Sequence, residues 1–179
     1  MSQIRVLVVI IIMHNILMLV PTKDFKDLDY SEPLAVLKHD GHTVTLAAED
    51  WRCEGSLGTV LKPNLLIRNV IPHDYDALFI VGGVGARDLA VDIAVVDMVK
   101  EFANAKKIIA AIGNGVVVLA AAGLLEGRYA SAAVVDEDFI ASKGAKLTKQ
   151  TIVVDGNMVT AVGSRVAHET GQVFANLLA

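Results

Sequence analysis

Lys107-Ile-Ile-Ala-Ala-Ile-Gly113-Asn114-Gly115-Val-Val-Val-Leu119 decides the fold. Its first half is a short apolar run of the kind that forms a strand buried on both faces. Its second half is an apolar helix start. A sharp strand-to-helix turn beneath a parallel sheet is where many α/β enzymes mount a nucleophile. Such an elbow holds its central residue in strained backbone geometry, often with positive φ. Glycine takes up that geometry without strain but has no side chain to react. The sequence therefore predicts the shape of a nucleophile site with the nucleophile left out at Gly113.

Working outward, apolar strands alternate with amphipathic helices. This pattern predicts a mostly parallel sheet covered on both faces. Upstream, strands are expected at Ile16–Val20, Thr43–Ala48 and Ala77–Val81, with a helix over Asp27–Lys38. Glu49–Lys62, with Gly55 and Gly58, reads as a small hairpin or an irregular excursion. Val91, Val95, Met98 and Phe102 recur at helical spacing. Downstream, the pattern predicts a helix over Val116–Ala122, a strand over Tyr129–Val134 and a short helix near Glu137–Ser142. Ile152–Val154 and Met158–Val162 flank Asp155-Gly156-Asn157, a hairpin turn signal. A last helix is expected to bury Val166, Thr170, Val173, Phe174 and Leu177. There is no internal repeat or linker.

Composition narrows the classes. The chain has 179 residues, enough for one sizeable core. It is 54% apolar, but its charged residues reach 20% and are spread along the chain, which fits a globular α/β domain. A net charge of −4 without a Lys/Arg-rich run gives nucleic acid no electrostatic footprint. Val6–Val20 would span about 22 Å as a helix, short of the ~30 Å of a hydrocarbon core, so no membrane span is expected. Pro21-Thr-Lys-Asp offers no small-residue signal cleavage site. Residues 1–12 read as an N-terminal extension, either an extra strand or an artefact, with Met13 a second candidate start. The one cysteine, Cys53, cannot form an intrachain disulfide, which fits a reducing, cytoplasmic setting.

Four ordered blocks carry a resemblance. They are Asp24-Phe-Lys-Asp27 with Pro33 and Leu37-Lys-His-Asp-Gly41-His42; Tyr75-Asp-Ala-Leu-Phe-Ile-Val-Gly82-Gly83; Ala110-Ala-Ile-Gly-Asn-Gly115 with Leu119-Ala-Ala-Ala-Gly-Leu-Leu-Glu-Gly-Arg128; and Val153-Val-Asp-Gly-Asn-Met158. The chain resembles the ThiJ/PfpI superfamily, related to class I glutamine amidotransferases, over roughly residues 14–178. The resemblance implies a flavodoxin-like three-layer sandwich over 13–179 as a single domain, and a homo-oligomer, dimer or larger. Active members are intracellular cysteine hydrolases, glyoxalase or deglycase-type enzymes, hydratases and stress-response proteins. Their chemistry uses an elbow cysteine, a glutamate after the first strand that contacts it, and often a nearby histidine.

This chain departs from that pattern. The elbow is Gly113, the following histidine position is Asn114, and a gap-free match puts Lys26 at the glutamate position. Asp24 or Asp27 substitutes for that glutamate only if the loop is shifted. Ala132-Ala133 stand where some members carry a histidine. The expectation is a non-catalytic relative with a vestigial pocket that binds a small anionic or carbonyl ligand. The alternative is a glyoxalase/deglycase-like or peptidase-like hydrolase working without an elbow cysteine, through Lys26, Cys53 or an activated water.

Candidate ligand-binding residues are Gly82, Gly83, Gly113, Asn114 and Gly115, whose amides are placed to meet an anion or carbonyl. Gly82 and Gly83 equally suit a tight strand-to-helix turn. Lys26 is either an amine nucleophile or a charged loop residue. Cys53, outside any elbow, reads as an ordinary thiol. His39, His42, His73 and His168 sit at helix ends and loops where polar residues are common. No metal or cofactor is expected.

Overall fold

A computed structural model describes residues 12–179; the extension reading falls, apart from Ile12, on residues outside that range. In chain order the elements are β1 (Asn15–Leu19), β2 (Lys23–Phe25), α1 (Asp27–His39), β3 (Thr43–Ala48), β4 (Cys53–Gly55), β5 (Val60–Leu61), β6 (Leu65–Leu66) and β7 (Ala77–Ile80). Then follow α2 (Ala86–Val91), α3 (Ile93–Asn104), β8 (Ile108–Ile112), α4 (Val116–Ala121), β9 (Tyr129–Ala130), α5 (Glu137–Ser142), β10 (Lys146–Leu147), β11 (Ile152–Asp155), β12 (Met158–Ala161) and α6 (Ala167–Leu178). Seven strands form one sheet in the order β11-β12-β8-β7-β1-β3-β6. Every neighbouring pair is parallel except the β11–β12 hairpin.

The two-residue period of a strand divides the core into two halves. Leu17, Leu19, Leu78, Ile80, Ile109 and Ala111 face one way, into a cluster with residues of α2, α3, α4 and α5. Ile16, Met18, Phe79, Ala110 and Ile112 face the other way, toward α1 and α6. The result is the three-layer α/β sandwich the sequence predicts. α6 buries Ala167, Thr170, Gly171, Phe174, Ala175 and Leu178, one helical stripe. Phe174 meets Phe79 edge-on, with centroids 5.5 Å apart, and so ties this helix to the sheet. Such a contact adds about 0.5–1.5 kcal/mol to the burial of the rings. Gly171 lets α6 approach α1: a Cβ there would come within 2.8 Å of Pro33 Cα.

Several elements differ from the sequence expectation. The helix expected through Val91 is two helices. Asp92 interrupts it, and its carboxylate accepts from Ala94 N at 2.8 Å to cap α3. Val91 ends α2 and is exposed, so the buried stripe of α3 is Val95, Met98, Val99 and Phe102. Val166, which precedes α6, and Val173 and Leu177 within it flank the buried stripe and are only half-buried. The strand expected over Tyr129–Val134 stops at Ala130, because Val134–Asp136 forms a 3-10 turn. Glu49–Lys62 does contain a hairpin, β4–β5, and β4 also pairs with β2, a strand the apolar pattern did not signal.

The strand order reverses between β1 and β7: β3 and β6 lie to one side, β7, β8 and β12 to the other. In open parallel sheets the crevice at the carboxyl ends of such a pair is the usual ligand position. The loops after β1, β7 and β8 all emerge there.

Candidate functional site

β8 delivers Gly113 at φ +57, in the left-handed region an elbow requires. Gly113, Asn114 and Gly115 form a buried 3-10 turn that runs into α4. The β7 turn lies alongside. Lys26 N–H donates to Gly82 O at 3.0 Å, which pins the loop after β1 across Gly82-Gly83. A Cβ on Gly82 would collide with Asp29 and with the Ile112 carbonyl, and one on Gly83 with the Asp24 carbonyl. Close backbone approach therefore already explains both glycines, whether or not their amides also meet a ligand. Gly115 is packed in the same way, under the Ile80 carbonyl at 2.8 Å.

A carboxylate does lie against the elbow. It belongs to Asp29, one helical turn beyond Lys26. A Cβ on Gly113 would stand 3.1 Å from Asp29 Oδ2 and 3.6 Å from Gly163 Cα. Asp29 is 1% exposed and accepts a 2.6 Å hydrogen bond on Oδ1 from Ser164 Oγ. Among the described residues no hydrogen-bond donor reaches Oδ2. Burial pushes the Asp29 carboxyl up to about 6, against the opposing pull of the Ser164 hydrogen bond and the Lys26 charge. Lys26 itself is exposed at the start of α1 and does not back the elbow. The gap-free match assigned the acid position to the wrong turn of chain, because Asp29 sits in a helix whose register the sequence alone did not fix.

Asp24 and Asp27 do not take that role either. Asp24 is exposed in β2 with φ +51. Asp27 turns to the β4–β5 hairpin and accepts from Leu57 N at 2.8 Å and Thr59 N at 3.1 Å. Burial raises its carboxyl, but these hydrogen bonds outweigh that and hold it below its ordinary range.

Asn114 is buried, and its Nδ2 donates to Asp136 Oδ2 at 2.6 Å. The other Asp136 oxygen accepts from Arg87 at 2.6 Å. One buried carboxylate thus links the elbow, α2 and the 3-10 turn before α5. Ala132 lines the groove next to the elbow and brings no histidine there.

The remaining candidates lie elsewhere. Cys53 is fully buried in the small β2-β4-β5 sheet, and burial with the Asp50 charge pushes its thiol up to about 11. His42 Nδ1 accepts from the His14 backbone at 3.2 Å, and His168 pairs with Glu32 at 3.0 Å on the outer side of α1 and α6. His39 and His73 are exposed. No group of three or more His, Cys, Asp or Glu among the described residues could hold a metal ion. None of the described helices is long and apolar enough to cross a membrane.

The sequence pattern of the DJ-1/PfpI family matches residues 14–175. The chain belongs to the DJ-1/PfpI family. Its relatives include an uncharacterised protein of Methanocaldococcus jannaschii, 37% identical over 151 residues that cover 82% of this chain and 74% of the relative. A deglycase of Thermococcus kodakarensis is 31% identical over 137 residues, 76% of this chain and 82% of that one. The crystal structure of a ThiJ/PfpI domain protein from Brachyspira murdochii superposes with a TM-score of 0.89 at 29% identity, covering 92% of this chain and 95% of that one. DJ-1/PfpI membership accounts for the elbow and sandwich together. Sequence reasoning missed Asp29, Asp136 and Ser164. For Asp29, a signal was present: Asp27-Leu28-Asp29 puts two carboxylates in one first turn, and only one of them can face solvent or a neighbouring loop while the other turns inward.

Proposed function

We propose that this chain is a non-catalytic DJ-1/PfpI protein whose elbow pocket binds a small ligand and carries out no thiol chemistry. One observation carries the reading. The position that faces Asp29 is a glycine, and the one cysteine is buried in a separate sheet with its thiol held neutral at pH 7. An activated thiolate needs an electropositive, accessible setting, and Cys53 has the opposite. The ligand fitting the pocket is a small anion or a carbonyl compound. It meets amides of the Gly82-Gly83 and Gly113-Asn114-Gly115 turns on one side and the Asp29 carboxyl on the other. A cytoplasmic homo-oligomer is the assembly consistent with the family.

A second reading has its own support. Relatives of this chain include deglycases, and a carboxyl group poised near pH 6 suits a general base acting on water or on a carbon acid. Turnover of methylglyoxal by the purified chain separates the two, with Cys53→Ser as control. No rate above buffer is expected. A rate that survives Cys53→Ser and disappears in Asp29→Asn would replace the binding reading with a cysteine-free enzyme.

A further inference from the structure

The outer face of α2 carries a short pattern that reads the same from both ends. The chain already turns at Val84, whose carbonyl accepts from Arg87 N–H at 3.2 Å, and the turn runs on into α2. Ala86, Leu89 and Ala90 are buried, so Val84, Arg87, Asp88 and Val91 stand on the opposite face at helical spacing. Val84 is 56% exposed and Val91 80%. The stripe thus has an apolar residue at each end and a cation beside an anion in the middle. Asp88 lacks a cation of its own. It belongs to a cluster with Asp92 and Glu49: burial first, then the charges of Asp92 and Asp88, pushes the Glu49 carboxyl up. Among the described residues, no Lys, Arg or His lies within ion-pair distance of these three carboxylates. Arg87 is the opposite case. Buried Asp136 holds one of its guanidinium nitrogens at 2.6 Å, while the side chain stays 48% exposed. The guanidinium is fixed in place, and its other N–H groups can serve a second carboxylate.

We propose that the α2 stripe is the contact face for a second copy of this chain, packed antiparallel across a twofold axis that passes between Arg87 and Asp88. This face deepens the homo-oligomer proposed above and rests on that reading. A twofold contact uses one patch on both copies, so the patch must be complementary to itself. The stripe meets that demand. Val84 faces Val91 of the partner subunit, Arg87 faces Asp88 of the partner subunit, and both contacts recur with the copies exchanged. Two apolar contacts then flank two ion pairs, and each acidic cluster gains the cation its own chain does not supply. Ile93, 76% exposed, and Trp51, two residues after Glu49 and 48% exposed, widen the face at its acidic end. The face also reaches the elbow. Arg87 stands between Asp88 of the partner subunit and its own Asp136, whose other oxygen holds the Asn114 amide.

The test is sedimentation velocity of the full chain over a concentration series, with thermal melts to confirm that each variant folds. The wild-type chain is expected to sediment as a dimer or a multiple of one. Asp88→Arg sets arginine against arginine in both halves of the contact and relieves the acidic cluster within its own chain. It is expected to keep its Tm and to weaken association at least roughly tenfold. Val91→Glu, which places a charge at each apolar end, is expected to do the same. Arg87→Glu sets carboxylate against carboxylate and is expected to be a monomer by itself. An equal mixture of the Asp88→Arg and Arg87→Glu chains restores a cation opposite a carboxylate at both places, so the mixture is expected to associate again. If both chains fold and their mixture stays monomeric, the antiparallel pairing is overturned. Should Arg87→Glu, which also loses Asp136, fail to fold, Asp88→Arg and Val91→Glu decide the face. An oligomer whose mass is unchanged in both overturns this face and leaves the homo-oligomer standing. A wild-type chain that stays monomeric up to roughly 100 µM overturns the face and the homo-oligomer together. Neither result bears on the turnover measurement, which tests the non-catalytic reading alone.

Discussion

Asp29 Oδ2 lies 3.1 Å from the point where a Cβ on Gly113 would stand, although the two residues are far apart in the chain. A buried carboxyl group lies against the elbow, and the elbow residue has no side chain to face it. This geometry makes Gly113→Cys informative. The new Cβ sits tightly against Asp29 Oδ2, which must give way slightly, and the residue must adopt φ near +57, which costs about 1–2 kcal/mol for a residue with a Cβ. The variant is expected to fold with a lowered Tm and to react with iodoacetamide much faster than the wild-type chain, measured by mass spectrometry. Wild-type labelling at Cys53 is expected to be slow, since that thiol is buried and sits near 11. If the G113C chain labels no faster than wild type, the pocket has lost the surroundings that activate a thiol.

The buried carboxyl predicts a pH dependence of stability. Asp29 binds its proton more tightly in the folded chain, near 6, than at its ordinary value of 3.8. Between those two values the folded state holds more protons, so stability falls as pH rises from about 4 to about 6 and is then level. The loss is on the order of 2 kcal/mol. Asp29→Asn, which cannot ionise, is expected to show a smaller decline over that range in urea titrations at pH 4 and pH 7. Equal declines in the two chains would place the titration elsewhere.

Asp136 holds two partners, Arg87 and the buried Asn114. Asp136→Ala is expected to cost about 1–3 kcal/mol, chiefly through the orphaned Asn114 amide, because Arg87 is half-exposed and rehydrates easily. Asp136→Asn, which still offers an acceptor oxygen, is expected to recover part of that loss in thermal melts. Equal losses for the two variants would show that the amide contact contributes little.

Asp27 secures the β4–β5 turn through the Leu57 and Thr59 amides. Asp27→Ala is expected to cost about 1–3 kcal/mol and to open residues 56–59 to limited proteolysis. Its carboxyl is held below the ordinary 3.8, so the wild-type turn keeps this support above that pH and loses it as pH falls below. Cleavage in the wild-type chain, followed with an acid-active protease, should therefore rise steeply below pH 4 and change little in Asp27→Ala. A turn equally resistant in both chains would contradict the capping role.

The main elements were legible because their signals are local. β3 and α5 run over the residues that the apolar pattern and helical spacing indicate, and Gly113 occupies the elbow the strand-to-helix boundary requires. Where a break depended on one capping carboxylate, as at Asp92, periodicity ran straight through it. The short strand β2, which pairs with β4, likewise left no apolar trace, since Lys23 and Asp24 are exposed and only Phe25 is buried.

The sequence by itself determined that this chain has a parallel sandwich and an elbow without a nucleophile, because strand period, helix period and the absence of a side chain are properties of neighbouring residues. Only the tertiary structure decided what surrounds that elbow. Asp29 and Ser164 meet across 135 positions of chain, and Asn114 and Asp136 across 22. Whether a carboxylate caps a loop, as Asp27 does, or is buried against a neighbouring turn, as Asp29 is, depends on which way a helix turns when it packs on the sheet. Packing fixes that rotation, and the packing energy is spread over the whole core.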